Sequence, residues 1–448
     1  MLETIILFMF IIGLLICLGF NLPLLYALLF GFIIFFSYGL SKKNTVKHMI
    51  QISFKGIKTV KNILIIFLLI GMLTSVWRAS GTISFIIYYS TKLIIPEAFI
   101  LITFILCCML SILTGTAFGT VATIGVICMT MANSMGLNKV LVGGAILSGI
   151  YFGDRCSPMS TSALLISELT KTNIYKNIKL MIKTSVIPFI VTCIIYIIFG
   201  FLFKNNSVPL EIRDLFAANF NLHWLTVLPA IIIILLSLLK VNVKITMTMS
   251  ILIASIVCIF VQKIEFASLF KMFILGYHSS NAEIATMLDG GGIQSMLKVS
   301  AIVCLSSSYA SIFEETGLLE GIKKYINKLS STVTPFGSVA ITSFLTCMIT
   351  CNQTLSIILT NQLCNDVLPD DYQRANSLEN TAVVVAPLIP WSIAGAVPLA
   401  TISAPTSCIL AACYLYILPL FSFFVFKKKN SIHMPNSYSD LKNINPIS

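Results

Sequence analysis

Long apolar stretches, recurring from one end of the chain to the other, constrain this sequence more than any other feature. About 20 apolar residues in a helix cross a hydrocarbon layer of about 30 Å, and roughly eleven or twelve runs of that kind are present. Only 10% of the 448 residues are charged and 57% are hydrophobic, with a mean hydropathy of +0.96. Soluble domains carry about 25% charged residues, so this much apolar surface has no soluble core to hide in. The sequence predicts an all-α integral membrane protein with no soluble module.

Lysine placement orders these runs. Residues 1–62 read as a helix hairpin, Ile5 to Leu22 and Leu25 to Leu40, followed by a basic loop. Glu3 precedes the first run and a second follows at once, so the pair is expected to be retained rather than cleaved as a signal. Ser41 to Asn62 carries six lysines (Lys42, Lys43, Lys47, Lys55, Lys58, Lys61), which predicts a cytoplasmic loop and a cytoplasmic N-terminus. Residues 63–183 form the next unit, closing in a second basic segment, Lys171 to Lys183. Residues 184–298 hold the middle spans Ser185 to Phe203, Trp224 to Leu239 and Met247 to Val261. They end in an external or partly embedded stretch, Gln262 to Lys298, in which Asp289-Gly290-Gly291-Gly292 reads as a plain turn. Residues 299–403 form a further unit that includes Lys323, Lys324 and Lys328, and residues 404–430 the last span. Lys427 to Lys429 predict a cytoplasmic C-terminus before the polar tail, 431–448.

Polar residues inside the apolar regions mark the candidate site. Gly149 to Leu165 reads GIYFGDRCSPMSTSALL, which sets Asp154, Arg155, Pro158 and the hydroxyls of Ser157, Ser160, Thr161 and Ser162 between two apolar segments. A charge at bilayer depth costs about 2.5–3.5 kcal/mol on insertion scales, and such residues line protein-enclosed cavities or ion paths. The proline interrupts a helix and frees backbone groups that can face a substrate. Asp154 and Arg155 also read as an internal ion pair that fixes a helix end. Thr114-Gly115-Thr116-Ala117-Phe118-Gly119-Thr120 reads either as a broken helix or as a small-residue packing face. Arg78 is placed either to snorkel to headgroups or to hold a substrate carboxylate in a bidentate pair.

Composition also excludes whole classes. The thirteen cysteines fall mainly inside apolar runs and the four histidines are scattered, so no metal site and no cofactor is expected. The net charge of +12 lies in short loops, which points to lipid headgroups and topology rather than to nucleic acid. The motif regions contain no histidine to serve as a base, which argues against an enzyme. The G-x-x-x-x-G-K-[ST] motif is missing too, so energy should come from an ion gradient.

The two halves of the chain match in spacing. Trp77 lies four residues before Gly81 and 38 before Gly115, while Phe313 lies four before Gly317 and 38 before Cys351. This aligns Thr114 to Thr120 with Thr350-Cys351-Asn352-Gln353-Thr354, and each half continues to a proline kink, at Ser157-Pro158 and Ile389-Pro390. The lysine count gives the halves opposite orientation. The expected architecture is therefore two inverted-topology repeats, with broken or re-entrant helices meeting at the midplane, as in secondary transporters.

These residues also carry a resemblance. SGIYFGDRCSPMS resembles the signature G-x-x-F-G-D-K-x-S-P-L-S-D-T-T of the NhaC-type sodium/proton antiporter family. NQTLSIILTNQ is similar to the family's D-Q-x-L-S-I-V, and SLENTAVVVAPLIPWSIAGA to its L-E-D-S-G-T-V-x-x-P-L-I-P-W-N-x-x-G-A. WRASGTISFIIYY and SILTGTAFGTVATIGV also look like family segments, and the likeness runs from about Ile70 to Ser403. It implies a helical ion transporter of the bacterial cytoplasmic membrane that exchanges Na+ for H+ by alternating access. Thr114, Thr116, Thr120, Asp154, Ser157, Ser160, Asn352, Gln353, Thr354 and Glu379 would then line the ion site. Three acids of the family pattern fall here on Thr161, Asn352 and Asn380, which leaves Asp154 and Glu379, with Glu314 and Glu315, as candidate proton carriers. Amides and hydroxyls ligate Na+ but do not exchange a proton for it near neutral pH. Those losses, with Arg78, keep a second reading open: Na+- or H+-coupled transport of a small organic acid or amino acid.

Overall fold

The computed structural model describes residues 2–432 except 21, 91–95, 159, 204–209, 240, 282–283, 286–287, 319–332, 366 and 369. Its described residues are mainly helical and include no strand, with one isolated bridge, Tyr277 to Gly290, outside the helices.

Helices α1 (Leu2–Gly19) and α2 (Leu24–Ser41) pack on one another across a short connection. The lysine-rich segment that follows is not a loop but contains a helix, α3 (Val46–Thr59). Met49, Ile52, Ser53 and Gly56 recur at three- and four-residue spacing and are buried, while Lys47, Lys55 and Lys58 are exposed. That is an amphipathic helix, and counting its lysines hid the apolar stripe between them. The first half continues with α4 (Lys61–Ala79), α5 (Thr82–Ser90), α6 (Phe99–Thr114), α7 (Ala117–Thr120), a π turn (Val121–Gly125), α8 (Val126–Ser134), α9 (Lys139–Cys156) and α10 (Thr161–Leu169). The middle of the chain forms α11 (Ile174–Leu202), α12 (Leu210–Asn219), α13 (Leu228–Leu238), α14 (Val243–Phe260), α15 (Phe266–Leu275) and α16 (Gly292–Ser295). The second half runs through α17 (Leu297–Thr316), α18 (Pro335–Thr350), α19 (Gln353–Cys364), α20 (Asp371–Asn380), α21 (Ala382–Val385) and α22 (Ile393–Thr401), and α23 (Cys413–Ile432) follows.

Three of these helices are individually long and apolar enough to cross a membrane: Lys61–Ala79, Pro96–Thr114 and Ile174–Leu202. Asp371–Leu388 and Ile393–Thr401 make a fourth crossing if the pair, bent by 54°, is one span. Among the described residues, shorter apolar stretches of 10–17 residues lie in other helices, such as Leu25–Ser41 in α2 and Lys244–Phe260 in α14. The break at Gly115 falls in the Thr114 to Thr120 stretch, where of the two readings of the sequence the broken helix is the one the structure has. The outer surface is apolar: Ile182, Ile190, Ile194 and Phe201 of α11 are about half exposed or more. Water does not tolerate such a face, and lipid does; with the apolar helices it marks a multi-pass membrane protein. All thirteen cysteines are free thiols, most of them buried.

The halves correspond in detail. Helices α6 and α18 are both 16 residues, and each ends on a left-handed residue, Gly115 (φ 66°) or Cys351 (φ 55°). An extended residue follows, Thr116 or Asn352, whose side chain caps the next helix. Helices α10 and α22 are both 9 residues, start from a serine cap (Ser160, Ser392) and are followed by a left-handed residue, Lys171 (φ 53°) or Ser403 (φ 52°).

Candidate functional site

Asp154 sits in the last turn of α9. Because a residue before proline is pushed to extended conformation, Ser157 (φ −97°, ψ 134°) stops the helix ahead of Pro158. The chain turns, and Ser160 caps α10, accepting from the Ser162 and Ala163 amides. This reversal brings two hydroxyls back to the acid: Ser160 Oγ donates to Asp154 Oδ1 (3.0 Å) and Ser162 Oγ to Oδ2 (3.2 Å). The Ala117 amide, which opens α7, faces the same carboxylate. Asp154 is only 5% exposed. The first helix break therefore joins the site: Thr116 caps α7, Thr120 Oγ1 donates to Thr116 O (2.8 Å), and Thr114 Oγ1 lies 3.0 Å from Thr120 Oγ1.

Arg155 turns away from its neighbour, so the alternative reading of Asp154 and Arg155 as an internal ion pair does not hold. Consecutive residues on a helix point about 100° apart, so the two cannot face one pocket. The guanidinium is fully buried in a neutral cage: it donates to Ser185 Oγ and Asn380 Oδ1, to Thr184 Oγ1 (3.0 Å) and to the Met181 carbonyl (3.2 Å), with Tyr414 beside it. Glu379 precedes Asn380, is 0% exposed, and lies within electrostatic reach of both Arg155 and Asp154. Neither of its carboxylate oxygens has a hydrogen-bond partner among the described residues.

The second break supplies a further polar wall. Asn352 caps α19 by accepting from the Leu355 amide (3.3 Å), and Gln353 Nε2 donates to Val383 O (3.0 Å). Trp391 Nε1 holds the end of α18 through Met348 O (2.9 Å), and Ile393 N donates to Cys351 O (2.9 Å). Tyr151 Oη donates to Ala394 O (2.6 Å), which ties α9 of one half to α22 of the other. Ser157 is buried, whereas Thr354 lies on the exposed face of α19. Of the three positions where the family pattern has acids, Thr161 is exposed, Asn352 is a cap and Asn380 contacts Arg155. Glu315 is exposed and pairs with His48 (3.2 Å), outside this cluster.

Arg78 belongs to a separate cluster. Its Nη1 donates to the Asp289 carbonyl (2.7 Å), and the Asp289 carboxylate accepts from the Ser279 amide (2.8 Å) and contacts His278 Nδ1 (3.0 Å). The glycines read as a plain turn form a built loop. Gly290, Gly291 and Gly292 all have positive φ, and a Cβ on Gly291 would meet Ser75 N at 2.7 Å.

Ser162 beside Asp154, and Thr184, Ser185, Asn380 and Tyr414 around Arg155, are missing from the sequence-derived set. Ser162 was legible as one more hydroxyl of the stretch, but its role depends on the turn at Pro158. Asn380 was visible only as a missing acid.

A family model described as the Na+/H+ antiporter family matches residues 149–427. Among curated proteins, the chain is 27% identical over 387 residues to a malate-2H+/Na+-lactate antiporter of Bacillus subtilis, covering 83% of this chain and 82% of that one. It is 27% identical over 356 residues to the Na+/H+ antiporter NhaC of Alkalihalophilus pseudofirmus, covering 76% of each. A third relative, the arginine/ornithine antiporter ArcD of Halobacterium salinarum, is 25% identical over 372 residues, covering 79% of this chain and 76% of the relative.

Proposed function

Since the chain belongs to the Na+/H+ antiporter family, we propose that it is a secondary transporter that exchanges Na+ for H+ by alternating access at the Asp154–Glu379 site. The observation that carries this reading is the charge balance of the buried cluster. Two buried carboxylates, Asp154 and Glu379, stand against one guanidinium, Arg155, the other buried guanidinium, Arg374, being paired with Asp371. With both acids ionised, one negative charge is in surplus at bilayer depth, where an uncompensated charge costs several kcal/mol. Either a proton or a monovalent cation cancels that surplus, and binding one makes the other superfluous. Mutual exclusion at one site is the minimum requirement of an exchanger.

Thr114, Thr116, Thr120, Ser157, Ser160, Asn352, Gln353 and Thr354 are assigned to the lining of the path around this pair. The matched caps of the two breaks support a pair of inverted repeats, as does the lysine distribution that gives the halves opposite orientation. Rocking one repeat against the other exposes a midplane site to each side in turn. The lysine-rich segments support a cytoplasmic position for both termini in a bacterial cell.

Purified protein in liposomes that hold a pH-sensitive dye tests the proposal. After an imposed pH gradient, a pulse of Na+ is expected to give saturable dye recovery, absent in Asp154→Asn. No response from folded wild-type protein overturns it.

A second reading is favoured by Arg78 and by the malate/lactate antiporter relative: coupling of Na+ or H+ to a small organic acid or amino acid. In that case uptake of a labelled carboxylate-bearing solute is lost in Arg78→Ala. Na+-dependent proton flux without any solute argues against this reading.

A further inference from the structure

Helix α20 is anomalous for the interior of a membrane protein. Its sequence is DYQRANSLEN, and Arg374 to Asn380 are all buried. Buried polar groups ordinarily find partners. Among the described residues, however, Asn376 Oδ1, Ser377 Oγ and both oxygens of Glu379 have none. The first turn of the helix reaches the surface. Asp371 and Arg374 pair there (2.5 Å) and line a cavity of about 620 Å³ together with Lys171 and Asn361, and Asn361 Oδ1 is again buried without a partner. Glu379 lies about 12 Å further along the helix axis at 1.5 Å per residue. Every unpartnered side-chain atom from Asn361 to Glu379 except Arg374 Nε is an oxygen. Oxygen donors are the ligands a small hard cation takes, and an amide oxygen does not relay protons.

The corresponding helix of the first half is closed. A Cβ on Gly144 of α9 would meet the Ala411 carbonyl carbon at 2.4 Å, and one on Gly149 the Phe104 carbonyl oxygen at 2.7 Å. Backbones that approach this closely leave no room for a hydrated ion. The polar helix and the sealed helix occupy matching places in the two halves, after Asp370 and Asn138 caps of similar geometry.

We propose that α20 is the wall of a cation route, which leads a partly dehydrated monovalent cation from the Lys171–Asp371–Arg374 cavity past Asn361 and Asn376 to Glu379. The route rests on the exchange reading and adds to it the entrance and two ligand residues outside the family-derived set. It also assigns this structure to the state open at the α20 cavity and shut along α9.

The test is equilibrium binding of radioactive sodium to purified protein, with flux in liposomes measured in parallel. Asn361→Leu and Asn376→Leu are each expected to raise half-saturating Na+ roughly tenfold, the scale seen when an outer ligand of a metal site is removed, while the maximal flux rate is retained. Asn376→Asp keeps the side chain's size and adds a carboxylate to the route, so it is expected to lower half-saturating Na+. Asn133→Leu, which removes a half-buried amide whose oxygen is enclosed outside the route, is expected to leave Na+ affinity unchanged. Wild-type Na+ affinity in the folded leucine variants overturns the route and leaves exchange untouched; an unchanged value in Asn376→Asp overturns it even where leucine prevents folding. Wild-type protein that binds Na+ but moves no protons removes the exchange reading instead.

Discussion

Ser160 holds a helix end and an acid with one oxygen. Its Oγ accepts from the Ser162 and Ala163 amides while donating to Asp154; Ser162 has only the second of these tasks. Ser160→Ala is therefore expected to lose roughly 1 kcal/mol of stability through the cap and to weaken Na+ binding as well. Ser162→Ala is expected to weaken binding with little change in thermal stability, and paired melting and binding curves in detergent separate the two. Asp154 was legible in the sequence because a charge flanked by apolar runs is conspicuous at any helix rotation. What Arg155 contacts was not legible, since it depends on which way the end of α9 faces. Adjacent charges in a chain invite a pairing that helix geometry then prevents.

Among the helices, close approach of backbones decides more than side-chain volume. Gly144, Gly149 and Gly153 of α9 leave no room for a methyl group, with a Cβ on Gly153 falling 2.5 Å from Ile112 N. Gly144→Ala is expected to destabilise the protein by roughly 1–3 kcal/mol, the usual range for overpacking, and thermal unfolding in detergent checks it. The breaks after α6 and α18 could be read from glycine, threonine and their spacing, because a left-handed residue followed by a capping side chain has a sequence signature. Cys351 hid half of that signature, since cysteine is not a residue expected at φ 55°. Helix α3 escaped for the opposite reason: its lysines are what a loop count looks for, and its apolar stripe is short.

At the scale of the whole molecule, the architecture legible in advance was the all-helical membrane class and the pairing of breaks. Both follow from periodicity and composition. The proposed direction of α11, from a cytoplasmic basic segment to an external loop, has a direct check. Alkaline phosphatase fused within Lys171 to Lys183 is expected to be inactive, and fused after Asn221 active, because the enzyme matures only outside the cytoplasm; the reverse result inverts the assignment. Tyr151 Oη to Ala394 O is one of the contacts through which the halves meet. Tyr151→Phe keeps the ring and removes only that bond, so it is expected to alter the maximal exchange rate more than half-saturating Na+, as flux titrations will show.

The free thiols make the unmodified chain its own motion sensor. Cys193, Cys304 and Cys413 are half-buried, while Cys107, Cys108, Cys156, Cys347 and Cys351 are enclosed where the helices of each half meet. Helices that part during a transport cycle must uncover some of these sulfurs. Brief alkylation with and without an ion gradient, read by peptide mass, would record which seams open and in what order, with no engineered label.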